Sequence, residues 1–402
     1  MPILCAAGLA PSRVMPGTPL EPPSLSTTPA GRQQRSGSGL CLSGGGYRAV
    51  LFHLGAVRRL HELGVLEHLR TVSSVSGGSV LAARLAQLPW ASDAPISPQT
   101  FQQVLAEATY RLTDRDIRTI PLLRRVMPWN WRGPSAVYGV ADLLDDYCGR
   151  MKVHDLPNKP NFVVCATDLT YGTSWIFSRA KTGGHRAGYA TSWKLNLPLS
   201  LAVATSACFP PVFAPVTMVL SSNKGKVLVN DGGNYDNLGL EPVWKNHELV
   251  LVSDGGTPFQ YGVKKGLLRR LTRFITLLDD QSRSLRKRWL IASDAQGVYK
   301  AVYWSVGRSV DVYRKNLPGD AECLALGYSE GLAHRIGLIR TDFDRFSRGE
   351  QAVLENHGYL LADAALRAHL PANSRPQQWP ALHVPHPAWL DPEKVDQMLP
   401  RG

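Results

Sequence analysis

The feature that most constrains this chain is a local design written twice between Gly39 and Ala86: a short apolar run, a turn of small residues, then a helix. In the first copy, Leu40-Cys41-Leu42 leads into Ser43-Gly44-Gly45-Gly46, and apolar periodicity follows from Ala49 to Leu63. In the second, Thr71-Val72-Ser73-Ser74-Val75 leads into Ser76-Gly77-Gly78, and the helix signal resumes at Val80. Strand, glycine turn and helix together aim backbone N–H groups and one side chain at a ligand. Two copies in βαβ spacing read as the halves of one site.

Beyond Ala86 the chain keeps alternating. Pro98 to Leu112 carries Phe101, Val104, Leu105 and Ala108 on one helical face, and Ala141 to Met151 is a short helix candidate. Asn161–Thr167 is a continuous apolar run with β-branched residues, the pattern of a buried strand, and Ser174–Ser178 is its hairpin or near neighbour. Leu199–Ala207 reads as a helix, Val216–Leu220 and Lys226–Asn230 as strands, and Leu249–Ser253 as another buried strand. Strands alternating with helices predict an α/β sheet flanked by helices. Residues 1–38, rich in Pro, Ser, Thr and Gly, read as a disordered leader or an over-extended start of the coding sequence. The folded domain is expected over 39–370, with a Pro-rich tail over 371–402.

Composition bounds the setting. An apolar fraction of 44 % and a charged fraction of 19 % are those of an ordinary globular protein. No run of about 18 uncharged apolar residues spans a membrane, and Ile3–Ala10 lacks the basic flank of a signal peptide, so a cytoplasmic address is the default. The six cysteines are scattered without a Cys-x-x-Cys pair, which favours reduced, buried thiols over a metal site or a disulfide framework. A net charge of +13 favours an anionic partner, nucleic acid or an acidic membrane surface. No nucleic-acid motif accompanies it, so nucleic acid is not the expected partner. Lys264–Leu290, a long helix candidate, holds nine Lys/Arg against two Asp up to Arg288, a net +7.

Ser76 is the first chemical candidate. A serine in a tight strand-to-helix turn, with Ser74, Gly77 and Gly78 as small neighbours, projects its hydroxyl clear of the backbone as a nucleophile does. The plain alternative is a helix N-cap. Gly44, Gly45 and Gly46 let backbone N–H groups converge on an oxyanion, and Arg48 either adds positive charge or braces the loop. Gly44-x-Gly46-x-x-Ala49 also fits a dinucleotide fingerprint. That fold wants Asp or Glu at the end of the second strand, where this chain has Ser74-Val75-Ser76-Gly77-Gly78. No histidine stands in a motif that nominates a base. Asp231, opening Asn230-Asp231-Gly232-Gly233-Asn234 after a strand, and Asp254, in Ser253-Asp254-Gly255-Gly256, share one local design, and spacing does not choose between them.

These motifs in this order resemble the patatin-like phospholipases, lipid acyl hydrolases with a Ser-Asp dyad. Ser43-Gly44-Gly45-Gly46-Tyr47-Arg48-Ala49 resembles the family's oxyanion loop, with Ser43 where an Asp often stands. Ser74-Val75-Ser76-Gly77-Gly78 resembles its nucleophile elbow, with Ser74 for the first glycine. Ala204 to Phe213 resembles the block between nucleophile and acid, Asp231-Gly232-Gly233-Asn234-Tyr235-Asp236-Asn237 the dyad motif, and Glu350–Leu366 the C-terminal helix of bacterial members. The resemblance covers Gly39 to His369 and implies a three-layer sandwich with a mainly parallel central sheet. It implies Ser76 as nucleophile and Asp231, not Asp254, as base. Gly44, Gly45, Gly46, Arg48 and Gly77 then form the oxyanion hole, with no cofactor or metal. A phospholipid substrate follows, met by a protein peripheral to a membrane. Candidate contacts with an anionic surface are 118–132, where Trp129 and Trp131 mix with Arg118, Arg124, Arg125 and Arg132, and 264–288. Core packing of the tryptophans and a solvated helix face are the plainer readings of these two stretches. An acyltransferase or thioesterase using the same dyad, and a non-catalytic nucleotide-binding module using the Gly44–Ala49 loop, are the alternative functions.

Overall fold

Leu40 and Leu42 pack into one hydrophobic cluster while Cys41 between them packs into another. Leu249 and Leu251 divide from Val250 and Val252 in the same way. Successive strand side chains point to opposite faces, so these unbroken apolar runs mark strands covered on both sides. The computed structural model describes residues 35–91, 94–126, 135–209, 213–220, 225–259 and 266–399, except the side chains of 124–126, 267–269, 271, 272 and 275. The leader expected over 1–38 lies outside the described residues up to 34, as do Trp129, Trp131 and Arg132.

Ten strands among the described residues form one sheet: β1 (Ser38–Leu42), β2 (Leu69–Val75), β3 (Asn161–Asp168), β4 (Thr173–Ser178), β5 (Lys181–Gly184), β6 (Gly188–Thr191), β7 (Val216–Met218), β8 (Val227–Asp231), β9 (Leu249–Asp254) and β10 (Lys300–Ser305). Their order is β10-β9-β1-β2-β3-β4-β5-β6, with β8 also paired to β3 and β7 to β8. From β10 to β3 all neighbours are parallel; β4, β5, β6, β7 and β8 add antiparallel pairs. The sheet is thus mixed, and its parallel half carries both glycine turns.

The helices that bear on the site are α1 (Gly46–Glu62), α2 (Gly77–Leu85), α3 (Thr119–Val126), α4 (Ala136–Leu144), α5 (Leu199–Ala207), α6 (Gly233–Asp236), α7 (Glu241–Trp244), α8 (Leu267–Ala295) and α9 (Arg348–His369). Val50, Leu54 and Val57 of α1, Val80 and Leu81 of α2, and Leu354 and Leu361 of α9 fill the core on one face. Val243 of α7 and Leu290 of α8 close the other. Three layers result, an α/β fold as expected. Helix α9 starts from a capping box in which Ser347 and Glu350 satisfy each other's backbone N–H groups. It crosses α1 at backbone contact: a Cβ on Gly358 would lie 1.9 Å from the Phe52 carbonyl oxygen, and one on Gly55 1.9 Å from that of Glu355. Buried ion pairs Arg59–Asp363 and Arg58–Glu355, both at 2.8 Å, flank the crossing. The Pro-rich tail packs onto this layer, with Val395 fully buried and Tyr328 donating to the Trp389 carbonyl at 2.8 Å.

Some element boundaries differ from the sequence reading. The helix expected at Ala141–Met151 is α4, started earlier by Ser135, whose hydroxyl accepts from Val137 N–H. Strands β5, β6 and β10 carried no signal strong enough to assign.

The arrangement on β3 positions the site. Strand β4 pairs with β3 along its whole length, Val163 to Asp168, and so takes one edge. On the other edge β2 ends with Val75 opposite Cys165, and β8 ends with Asp231 opposite the next residue, Ala166. Because β2 runs parallel to β3 and β8 antiparallel, their C-terminal ends meet head-on.

Candidate active site

Ser76 follows Val75 at that meeting point, with φ 51° and ψ −120°. A left-handed φ in a non-glycine residue costs about 1–3 kcal/mol and persists only where the surroundings enforce it. Here Ser76 N–H donates to Ser206 Oγ at 2.9 Å, and the Ser206 hydroxyl in turn donates to the Cys165 carbonyl at 2.6 Å. Ser79 Oγ lies 3.0 Å from Ser206 Oγ and donates to Ser74 Oγ at 3.1 Å. Ser74 therefore has its own role, tying the elbow to the first turn of α2. Although Ser76 stands at the N-cap of α2, its side chain makes no capping hydrogen bond. It stands instead beside the carboxyl of Asp231, on which it exerts a lowering pull.

Asp231 is 2 % exposed. One carboxyl oxygen accepts from Gly233 N–H at 2.7 Å, and its carbonyl accepts from the Thr167 hydroxyl at 2.7 Å. Burial pushes its pKa up to about 7, against smaller opposing pulls from Gly233 N–H and Ser76; the carboxyl of Asp279 on α8 adds to the rise. Asp254 has another fate. Burial raises it, but Arg283, the Tyr303 hydroxyl at 2.6 Å and Gly256 N–H at 2.9 Å more than offset this and hold it below the usual carboxylate range. Of the two Asp-Gly-Gly turns, one meets the serine and the other is a saturated structural carboxylate.

The first glycine turn lies directly against the second. A Cβ on Gly77 would sit 2.2 Å from the Gly46 carbonyl oxygen, and one on Gly44 3.1 Å from Ser76 Cβ. Gly45 and Gly46, at φ 142° and 56°, adopt backbone conformations that side chains disfavour. Gly44 N–H is taken by the Asn237 carbonyl at 3.0 Å. The N–H groups of Gly45, Gly46 and Gly77 have no acceptor among the described residues. Arg48 is fully buried, and all five of its N–H donors are engaged: two on Gly255 O, one each on Gly337 O and Ile339 O, and one on Thr257 Oγ1. Of its two sequence readings, these contacts are those of a brace. Below the loop, Ser43 Oγ accepts from Gly255 N–H at 2.8 Å. His53 donates from Nε2 to the Ser43 carbonyl at 2.9 Å and accepts at Nδ1 from Ser253 at 2.7 Å; burial pushes it down to about 4. Ser43, standing where the family often has Asp, thus links the loop to the end of β9.

Helix α8 closes this side. Arg286 donates to the Tyr235 carbonyl at 2.9 Å and lies 3.5 Å from Asp236, and Arg283 donates to the Thr257 carbonyl and lies 3.9 Å from Asp254. Two of the cations expected on an outward basic face therefore point in, onto the loops after β8 and β9.

Sequence reasoning left Ser206, Ser79 and Asn237 without roles, although Ser206 and Asn237 stood inside the quoted motifs. A small polar residue buried in an apolar helix such as α5 was the available signal for Ser206. Asn237 bridges the two turns, its carbonyl on Gly44 N–H and its side-chain oxygen packed against both Gly44 and Gly233.

The model of the patatin-like phospholipase family matches residues 40–244, a span holding both turns, β8 and Asp231. Among solved structures the chain is similar to human GIVD cytosolic phospholipase A2, at 12 % identity and a TM-score of 0.46, over 83 % of this chain and 61 % of that one. It is also similar to VipD from Legionella pneumophila, at 16 % identity and a TM-score of 0.36, over 83 % and 67 %. The chain thus spans about three fifths of the length of the human phospholipase. No curated protein sequence matches. With the family model matched over half its length, the chain belongs to the patatin-like phospholipase family.

Proposed function

We propose that the protein is a lipid acyl hydrolase that cleaves fatty acyl esters of phospholipids through Ser76 and Asp231. Family membership supports lipid hydrolysis; what supports the dyad is the head-on meeting of β2 and β8, which brings Ser76 and the buried Asp231 to the same point of the sheet. In the first half-reaction Asp231 takes the hydroxyl proton as Ser76 Oγ attacks the ester carbonyl carbon. The N–H groups of Gly45, Gly46 and Gly77 receive the developing oxyanion. Collapse breaks the ester C–O bond, and Asp231 returns its proton to the departing alkoxide, releasing the lysolipid. Water then attacks the acyl-serine, giving one proton to Asp231, which passes it to Ser76 as the fatty acid leaves. A base with an acidity near 7 suits this double use, since it both accepts and returns a proton near neutral pH.

Gly44 and Arg48 have other parts in this scheme. Gly44 keeps its N–H on Asn237 and, lacking a Cβ, lets the two turns touch; Arg48 holds the loop's shape. The nucleotide-binding alternative loses support from the same packing, because the space beside Gly46 is filled by the backbone of Asp342. The substrate class also supports a protein peripheral to membranes, and among the described residues no helix is long and apolar enough to cross one. The test is release of fatty acid from phosphatidylcholine vesicles and of chromophore from a soluble short-chain ester. Ser76→Ala and Asp231→Asn should each abolish both while the protein stays folded. Undiminished hydrolysis by purified Ser76→Ala defeats the proposal.

A further inference from the structure

Helix α8 has two working faces. Its inner face holds Arg283, Arg286 and Leu290, on the loops of the site and in the core. At 100° per residue, Phe274, Leu278, Leu285 and Trp289 fall within an arc of about 60° on the outer side, a line roughly 22 Å long. All four are 45–66 % exposed. Such a run of large apolar side chains on a surface helix marks a contact with something apolar. Exposed Arg270 and Arg288 follow one border of the line, where long basic side chains reach from an apolar layer to phosphates. Trp289, packed against Trp244 at 4.3 Å between ring centres with the ring planes tilted by 60°, places an indole at the C-terminal end.

A second apolar element is linked to the first glycine turn through Asp342. Asp342 accepts Tyr47 N–H at 2.9 Å, its backbone lies against Gly46, and its carboxylate pairs with Arg118 at the start of α3. Helix α3 exposes Ile120 and Leu123 by about half. Exposed apolar side chains thus stand on two helices that are each tied to the loops around the site.

We propose that the protein docks on a phospholipid bilayer by inserting the Phe274–Leu278–Leu285–Trp289 stripe of α8, with Arg270 and Arg288 on lipid phosphates and Ile120 and Leu123 as a second contact. The inference rests on the hydrolase reading for its choice of a lipid partner, and the net charge of +13 complements an anionic surface. It differs from simple electrostatic attraction of a basic helix, because Arg283 and Arg286 are engaged inside the fold. Binding is therefore carried by apolar insertion and persists on neutral lipid, with anionic lipid adding to it.

The test is co-sedimentation of the full chain with phosphatidylcholine vesicles and with vesicles also containing phosphatidylglycerol, alongside light scattering and hydrolysis of the soluble ester. Leu278→Asp/Leu285→Asp should weaken binding to both vesicle types by at least about 30-fold. Its rate on the soluble ester should stay within about twofold, which also reports the fold. Arg270→Gln/Arg288→Gln should lose only the added affinity for anionic vesicles. Binding of the Leu278→Asp/Leu285→Asp protein at the wild-type level overturns the proposal, as does a wild-type dimer that this variant dissociates without change in vesicle binding. Wild-type docking through the stripe with no hydrolysis of any ester would leave the docking standing and defeat the hydrolase reading.

Discussion

Asp231→Asn should make the protein more stable as it makes it inactive. The carboxyl is buried and its pKa is pushed from the ordinary 3.8 up to about 7, mainly by burial. Between these two values the folded protein keeps a proton that the unfolded chain has released, so stability falls as pH rises through the window. Above about pH 7 the deficit is complete. At 1.36 kcal/mol per pH unit it amounts to about 4 kcal/mol. An Asn side chain still accepts from Gly233 N–H, so the substitution removes the charge and keeps that bond. With an unfolding entropy of about 2.1 cal/mol/K per residue, about 4 kcal/mol in a chain of this length raises Tm by roughly 5 °C. The assay is scanning calorimetry of wild type and Asp231→Asn from about pH 4 to 8, where contributions of all other groups cancel in the difference. The gap should grow from near zero at the acid end to roughly 5 °C at the alkaline end. A gap that is constant with pH, or a variant less stable at pH 8, would refute the reasoning that an uncompensated buried carboxylate is stored beside Ser76.

Three further outcomes follow from the same contacts. In the wild type, kcat/KM for the soluble ester should fall about tenfold per unit on the acid side, with a midpoint near the acidity of Asp231; Asp279→Asn, which removes the nearby negative charge, should move that midpoint to lower pH and leave the plateau unchanged. Ser206→Ala strips the partner from Ser76 N–H and Cys165 O, so it should cost about 1–3 kcal/mol in denaturant unfolding and lower kcat by roughly 100-fold with little change in KM. Gly358→Ala forces α9 off α1 and should lower the unfolding free energy by about 3 kcal/mol in urea titration, while a change under about 0.5 kcal/mol would show that the crossing yields freely.

Much of the parallel half was legible because its physics is local. Strands covered on both faces are apolar throughout, as in Leu249–Ser253, and the two turns announce themselves in small residues. The edge was not legible. Lys181–Gly184 and Gly188–Thr191 are four-residue strands, rich in glycine or partly exposed, that exist because β4 offers an edge to the first and the first to the second. The choice between Asp231 and Asp254 was equally hidden, since both are Asp-Gly-Gly turns after a strand, and β3 alone decides which meets Ser76. Arg48 and Gly44 find their partners about 200 residues or more away, which no local reading supplies. For α8 the count of cations was readable, but which of them face the site is a matter of packing.

The central claim is that the strained Ser76, with Asp231 as its proposed base, is the nucleophile. Its most direct test is incubation with a long-chain alkyl fluorophosphonate, followed by intact-mass and peptide mass spectrometry. The account predicts a single phosphonyl adduct on the peptide carrying Ser76, formed as ester hydrolysis is lost, and absent from both Ser76→Ala and Asp231→Asn. An adduct on another residue, or full loss of activity with Ser76 unmodified, would contradict it.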